Sequence, residues 1–251
     1  MPLVFKLIFK IVILLLVELV YEGKAKRVYK WGGLYVIAFK DEVTAGDGAV
    51  KAAAPGKGAL AAETSYLLFR YVSSVVETHL VDFRPPDGLV VRPAEVLPVE
   101  VIVRFKAYGS ILKRMPRLKP LQPFSRPLVE LHYKDDALHD PLVYPQEVVE
   151  AGVVSEAELA EVERASKAAA EALKALYAGA GCDFIDVKFE FGRVGGRIVL
   201  VDEISGDTFR LLCGGEHLDK EYFRMTKDAV GLVERYKKLL EITKSLVAKL
   251  G

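Results

Sequence analysis

The stretch FIDVKFEF at residues 184–191 alternates apolar and charged side chains without a break. That period of two predicts a strand with Ile185, Val187, Phe189 and Phe191 on one face and Asp186, Lys188 and Glu190 on the other. On a lone strand such a charged row faces water. Its partner, Ile198 to Val201, is apolar at every position, which predicts a sheet covered on both faces, where charges need partners or a metal. The hairpin between them decides where Asp202 points. A three-residue loop with Gly196 in the left-handed region puts Asp202 opposite Lys188, on the face of Glu190. A two-residue Gly195-Gly196 turn sends it to the other face. The first arrangement gathers two carboxylates and an ammonium, which suits Mg2+ and a phosphate.

With 251 residues the chain can bury a large core in one or two lobes. Its 35 basic and 34 acidic residues leave a net charge of +1, so no overall field draws it to nucleic acid or an anionic membrane. Cys182 and Cys213 are its two cysteines, without CxxC spacing; they read as buried thiols and point to a reducing, cytoplasmic setting. Asparagine is absent, a composition that suggests a thermophilic source. Leu3 to Val20 is almost wholly apolar, broken by Lys6, Lys10 and Glu18, and approaches the length of a membrane span. It has no A-x-A-like cleavage site and runs without a linker into a charged, strand-like stretch, which favours a mis-assigned start or an extra packed segment over an anchor.

Leu19 to Phe39 predicts a two-strand hairpin turning at Gly32-Gly33, with Lys24 and Lys26 on one face of its first strand. Ala59 to Glu77 has helical apolar spacing, and the Arg84-Pro85-Pro86-Asp87-Gly88 break is taken as the lobe boundary. Residues 1–18 are then an apolar extension, 19–86 a β-rich lobe and 87–251 a second lobe. Leu89 to Glu95 and Val99 to Lys106 read as strands around a Pro98 turn, and the four prolines between Met115 and Pro127 as a surface loop. Ser155 with Glu158 forms a capping box for a helix ending at Gly179 or Gly181. Asp219 to Leu250 reads as one amphipathic helix with Phe223, Val230, Val233, Tyr236, Leu240 and Val247 inward.

Several segments carry groups able to bind anions. Lys24 and Lys26 suit phosphates or serve as edge protection. Thr44 to Gly48 and Pro55 to Gly58 are Gly-rich loops around a helix start, but Lys57 is followed by Gly, so Walker and Rossmann patterns both fail. Arg104 to Ser110 ends a strand with a cation, a small turn and a hydroxyl. Lys134 to Pro141 packs three carboxylates and His139 into a turn, with no zinc spacing. Asp207 and Arg210 follow Asp202 in a loop that would overhang the site.

In order along the chain, YEGKAKRVY at 21–29, AGDG at 45–48, Lys57-Gly58, Val103-Arg104 with Gly109-Ser110, DALHDP at 136–141, DVKFEFG at 186–192, and Asp202-Glu203 followed by Asp207 and Arg210 resemble the SAICAR synthetase family. The resemblance spans Leu19 to about Gly251. It implies a two-lobed α+β fold related to ATP-grasp enzymes, with antiparallel sheets, flanking helices and ATP between the lobes. It also implies ATP-dependent joining of L-aspartate to carboxyaminoimidazole ribotide, the product being SAICAR. On that basis Lys24, Lys26, Lys57 and Lys134 are expected at ATP and Glu190 and Asp202 at Mg2+. Lys188, Asp207 and Arg210 are expected in catalysis, and Arg104, Ser110, Asp140 and Arg210 at the ribotide. A homodimer or larger homo-oligomer is expected. Leu211-Leu212-Cys213 departs from the aromatic and acid usual after the family's arginine. Two other readings compete: a small-molecule kinase on a related scaffold, and a membrane-tethered nucleotide-binding module without catalysis.

Overall fold

The computed structural model describes residues 17–46 and 48–249; the apolar stretch up to residue 16, Asp47 and the last two residues lie outside the described residues. Among the described residues no helix is long and apolar enough to cross a membrane.

Strands β1 (Val17–Glu22), β2 (Lys26–Trp31) and β3 (Leu34–Phe39) begin an antiparallel sheet. The expected two-strand hairpin is thus three strands, because Gly23, Lys24 and Ala25 turn the chain between β1 and β2. Lys24 sits in that turn and not on a strand face. A small hairpin, β4 (Glu42–Ala45) with β5 (Val50–Ala53), leads into helix α1 (Lys57–Val72). A Cβ on Gly58 would meet the Phe39 carbonyl oxygen at 2.6 Å, so only glycine lets the helix start this close to β3. The helix stops at Val72, short of the expected Glu77.

Strands β6 (Leu80–Arg84) and β7 (Gly88–Val91) complete a sheet of order β1-β2-β3-β7-β6. The Pro85-Pro86 break expected to separate lobes is therefore the turn of a hairpin inside the first sheet, and a division by sheets falls after Val91. Next, β8 (Glu95–Lys106) runs straight through Pro98. No turn forms there: the ladder to its partner is irregular between the Glu190↔Glu100 and Gly192↔Val96 pairs, so proline's missing donor is tolerated. A short helix α2 (Ser110–Arg114) precedes β9 (Pro123–Tyr133), which begins inside the expected proline loop. Its prolines sit where its register against β8 shifts, between the Arg104↔Leu128 and Lys106↔Pro123 pairs.

After β10 (Leu142–Val143) and α3 (Pro145–Glu150), helix α4 (Glu156–Ala178) starts on the Ser155–Glu158 capping box and ends at Gly179, as the sequence predicts. Strands β11 (Asp183–Val194), β12 (Arg197–Val201), β13 (Phe209–Cys213) and β14 (Glu216–His217) follow, then α5 (Glu221–Thr226) and α6 (Ala229–Ala248). The second sheet has the order β10-β9-β8-β11-β13-β14, with β12 pairing the far half of β11. Helix α4 covers the Val187, Phe189 and Phe191 face, and Tyr177 stacks on Phe184 at 5.8 Å. The last helix is two helices. Lys227 adopts φ 60, and Asp228 caps α6 by accepting from the Gly231 amide, which resets the helical phase and leaves Val230 75% exposed instead of inward.

Strand β13 also corrects the cysteine reading. Asp183 pairs with Leu212, so Cys182 and Cys213 stand opposite each other and form a disulfide with Cα atoms 4.4 Å apart. The reducing setting inferred from two thiols loses its basis.

Candidate active site

The two sheets meet at β12. The Leu200 amide donates to the Glu77 carbonyl at 2.9 Å, and the His79 amide donates to the Leu200 carbonyl at 3.0 Å, so the end of β12 lies at the seam. A polar cavity of about 670 Å3 opens there, lined by lysines 24, 26, 40, 51, 134, 188 and 220 and by acids that include Glu190, Asp202 and Asp207. Beside it lies an apolar cavity of about 380 Å3, walled by Val28, Tyr35, Ile37, Val91 and Val201; Lys134, Glu190 and Asp202 border both.

On the second sheet the predicted charged row is present, and it is partnered. Asp186, Lys188 and Glu190 stand opposite Arg104, Ile102 and Glu100 of β8. Lys188 donates to Glu100 and, at 3.4 Å, to Glu190, while Lys134 donates to the other Glu190 oxygen. Burial opposes the Lys188 charge, yet Glu190 and Glu100 outweigh it and hold the ammonium above its usual pKa.

Asp202 reaches this group by a route the sequence reading did not foresee. Val194 pairs with Arg197, so Gly195-Gly196 is the two-residue turn that should turn Asp202 away. The strand ends at Val201, however, and Asp202 itself takes φ 66, a left-handed conformation uncommon for any residue with a Cβ. Strand alternation no longer governs it, and its carboxylate enters the polar cavity. Lys26 of β2 meets it there at 2.5 Å and Glu203 at 2.9 Å. Burial raises the Asp202 pKa, but Lys26, with Lys188 and Lys134, holds it below the usual carboxylate value. Lys26 is held high in turn by Asp202, Glu203 and Glu190 against its own burial.

A second cluster lies further along β11. Asp186 accepts from Arg104 at 2.8 Å and from Arg210 at 2.8 Å. Arg104 also reaches Glu130 at 2.9 Å and Ser110 Oγ at 3.0 Å, and Arg210 donates to Glu221 at 3.0 Å. Burial pushes the Asp186 pKa up while both arginines pull it back. Gly109 takes φ 67, and a Cβ there would stand 2.8 Å from the Arg210 guanidinium, so this glycine keeps Arg210 in place.

The sequence-selected residues are not equally placed. Lys24, Lys26, Lys134, Asp140, Lys188, Glu190, Asp202 and Asp207 share the polar cavity, with Lys24 paired to Asp136 at 2.9 Å. Lys57 does not face it openly: it is 1% exposed, sealed against Asp207 and the Tyr236 ring at the first turn of α1, which removes it as a direct phosphate ligand in this conformation. Arg104, also 1% exposed, spends its guanidinium on Ser110, Asp186, Glu130 and the Tyr108 carbonyl. Glu100, Glu130, Glu203 and Lys220 were missed. Nothing local marks Glu100 or Glu130; the pairing of β8 with β9 and β11 brings them in.

A model of the SAICAR synthetase family matches residues 19–241. The chain belongs to the SAICAR synthetase family. The phosphoribosylaminoimidazole-succinocarboxamide synthase of Pyrobaculum aerophilum is 72% identical over 233 residues, covering 93% of this chain and all of the relative. A solved SAICAR synthetase in complex with ADP superposes with a TM-score of 0.85 at 36% identity, covering 90% of this chain and 97% of its own. The synthase of Ehrlichia chaffeensis gives 0.86 at 28% identity, covering 90% and 98%. The mixed fold of antiparallel sheets and helices is that of these SAICAR synthetases, and a thermophilic source agrees with the thermophile relatives.

Proposed function

We propose that this chain is the ATP-dependent ligase of purine biosynthesis that joins L-aspartate to carboxyaminoimidazole ribotide, giving SAICAR, ADP and phosphate. Membership in the family carries that reaction class, and one observation carries its placement: Lys26, Lys134 and Lys188 converge with Glu190 and Asp202 in a polar cavity that adjoins an apolar one. The apolar cavity is shaped for a nucleobase and the lysines for its phosphates. This division, with two sheets flanking a cleft, is also what an ATP-grasp relationship would require.

Magnesium fits the donor set. Among the described residues no three His, Cys, Asp or Glu side chains form a ready cage. Mg2+ is commonly held by one or two carboxylates plus phosphate oxygens and water, which Glu190 and Asp202 can supply. When bound it neutralises phosphate charge. Both carboxylates are engaged by lysines here, and those lysines have phosphate oxygens to turn to as substrate enters.

In the reaction the ribotide carboxylate takes the γ-phosphoryl group of ATP, ADP leaves, and the aspartate amine attacks the acyl phosphate carbonyl and expels phosphate. Lys188 lies where charge develops on the transferred group, and Lys24, Lys26 and Lys134 hold the remaining phosphates. Ser110 and Arg210 anchor the ribotide, backed by Arg104 and Asp186, while Asp140 and Asp207 line the substrate side. Catalysis is then chiefly positioning and charge neutralisation. The proposal includes a cytoplasmic enzyme assembled as a homo-oligomer, which sedimentation of the purified chain measures.

ADP release tests the reading. It should require both the ribotide and L-aspartate for continuous turnover. A phosphorylated end product formed without aspartate would favour the kinase reading instead, which the family match does not support.

A further inference from the structure

Tyr108 touches both arginines of the Arg104–Asp186–Arg210 cluster. It stands half-buried in the turn between β8 and α2. Its carbonyl accepts from Arg104 at 3.2 Å, and the Arg210 guanidinium lies over its ring, 5.2 Å from the centroid. Arg210 spends Nε on Glu221 and Nη1 on Asp186, while its Nη2 donates to nothing among the described residues. That Nη2 lies against Gly109, where a Cβ would stand 2.8 Å from it. Two carboxylates thus hold the guanidinium through Nε and Nη1, and the Tyr108 ring supports it from a third side.

The tyrosine is itself held. Its hydroxyl meets His217 Nε2 at 3.2 Å, with the two rings edge to face at 5.4 Å, and His217 Nδ1 stands 3.0 Å from Asp219 Oδ2. Asp219 is fully buried and accepts from the Leu211 amide at 2.8 Å and the Glu221 amide at 2.7 Å. A carboxylate only accepts, so His217 Nδ1 carries the hydrogen between them, and Nε2 is left to accept from the phenol. Burial and Glu221 raise the Tyr108 pKa while Arg210 lowers it, and the phenol keeps its proton. The contacts close a circuit, from Arg210 through Tyr108, His217 and Asp219 to Glu221, whose carboxylate returns to Arg210 at 3.0 Å. Its members come from the β8–α2 turn, β13, β14 and α5.

An arginine with a spare donor binds an anion best when its side chain is already ordered, because that freedom is then not lost on binding. We propose that Tyr108 is a positioning residue for the ribotide and that the His217–Asp219 pair holds it there: the tyrosine ring keeps Arg210 turned so that Nη2, one residue from Ser110, meets an anionic group of the ribotide. The assignment rests on the ligase reading, which puts Arg210 and Ser110 at the ribotide. It adds Tyr108 and His217 as side chains that act through Arg210 from outside the polar cavity.

The test is steady-state kinetics of the full chain, with a melting curve for every variant. Tyr108→Leu should raise the KM for the ribotide by about 5- to 30-fold, with the KM values of ATP and L-aspartate within about twofold. Tyr108→Phe keeps the ring and loses only the bond to His217, so it should recover part of that loss, leaving a rise of about 3- to 5-fold. His217→Phe should match Tyr108→Phe, and the double variant should be no worse than either alone, because each removes the same hydrogen bond. Both phenylalanine variants keep a ring in place, so the test stands even if Tyr108→Leu fails to fold. A Tyr108→Leu enzyme with the ribotide KM within twofold of wild type, or with all three KM values raised alike, overturns the assignment. So do phenylalanine variants whose effects multiply in the double. Wild-type enzyme that releases no ADP with all three substrates present overturns the ligase reading itself.

Discussion

Lys26, on the first sheet, and Asp202, at the end of β12 on the second, meet at 2.5 Å between Nζ and Oδ1. Glu203 adds a second carboxylate to the same ammonium at 2.9 Å. The two sheets are thus joined by charge at the point where the polar cavity opens, and on the proposed reading a phosphate entering there competes with carboxylates for one lysine. Lys26→Met should lower kcat by about 100-fold or more through lost charge stabilisation, with the melting transition still cooperative. Turnover within tenfold of wild type would remove Lys26 from the phosphate site.

Lys57 gives a contrasting expectation. Buried with Asp207 and packed at 5.7 Å from the Tyr236 ring centroid, it is a structural ion pair. Lys57→Met leaves the Asp207 charge with only the distant Lys220 to balance it, and should cost about 3 kcal/mol of stability in a denaturant titration. A KM for ATP raised about tenfold or more with an unchanged midpoint would return Lys57 to the nucleotide.

The charged strand was legible because alternation is local: Lys188 and Glu190 share a face as the pattern FIDVKFEF requires. Asp202 was not, since its placement hangs on one left-handed backbone angle and not on hairpin length. Strand β13 was missed because FRLLC carries no clean alternation, and with it went the register that opposes Cys182 and Cys213. The split between α5 and α6 was readable after the fact, since Asp228 is a good N-cap three residues before Gly231. The first sheet's extent needed pairing information that the Pro85-Pro86 break obscured.

The disulfide closes a sequence separation of 31 residues that holds β11, β12 and β13. Reducing it or making Cys213→Ser should lower stability by about 3 kcal/mol, a drop in Tm of roughly 6–12 °C. A Tm unchanged by reductant would mean the bond contributes nothing. The bond does not fix a compartment, because intracellular proteins of hyperthermophiles carry disulfides too.

Glu158 supplies a pH test away from the cavity. Its hydrogen bonds from Arg193, and from the Ser155 amide it caps, lower its carboxyl pKa to about 2. A depressed folded-state pKa stabilises above the unfolded value and loses that contribution as pH falls toward the folded one. Glu158→Gln should therefore be less stable than wild type at pH 7, and the gap should close between about pH 4.5 and 2. A gap constant across that range would show that charge is not what Glu158 contributes.

In the proposed reaction, phosphoryl transfer to the ribotide carboxylate precedes amide formation in the cavity of Lys188, Glu190 and Asp202. Ribotide labelled with 18O in its carboxylate, turned over with ATP and L-aspartate, reads this directly by mass spectrometry of the released phosphate. One 18O atom is expected in each phosphate formed, with its partner retained in the amide. Unlabelled phosphate alongside normal product would contradict it.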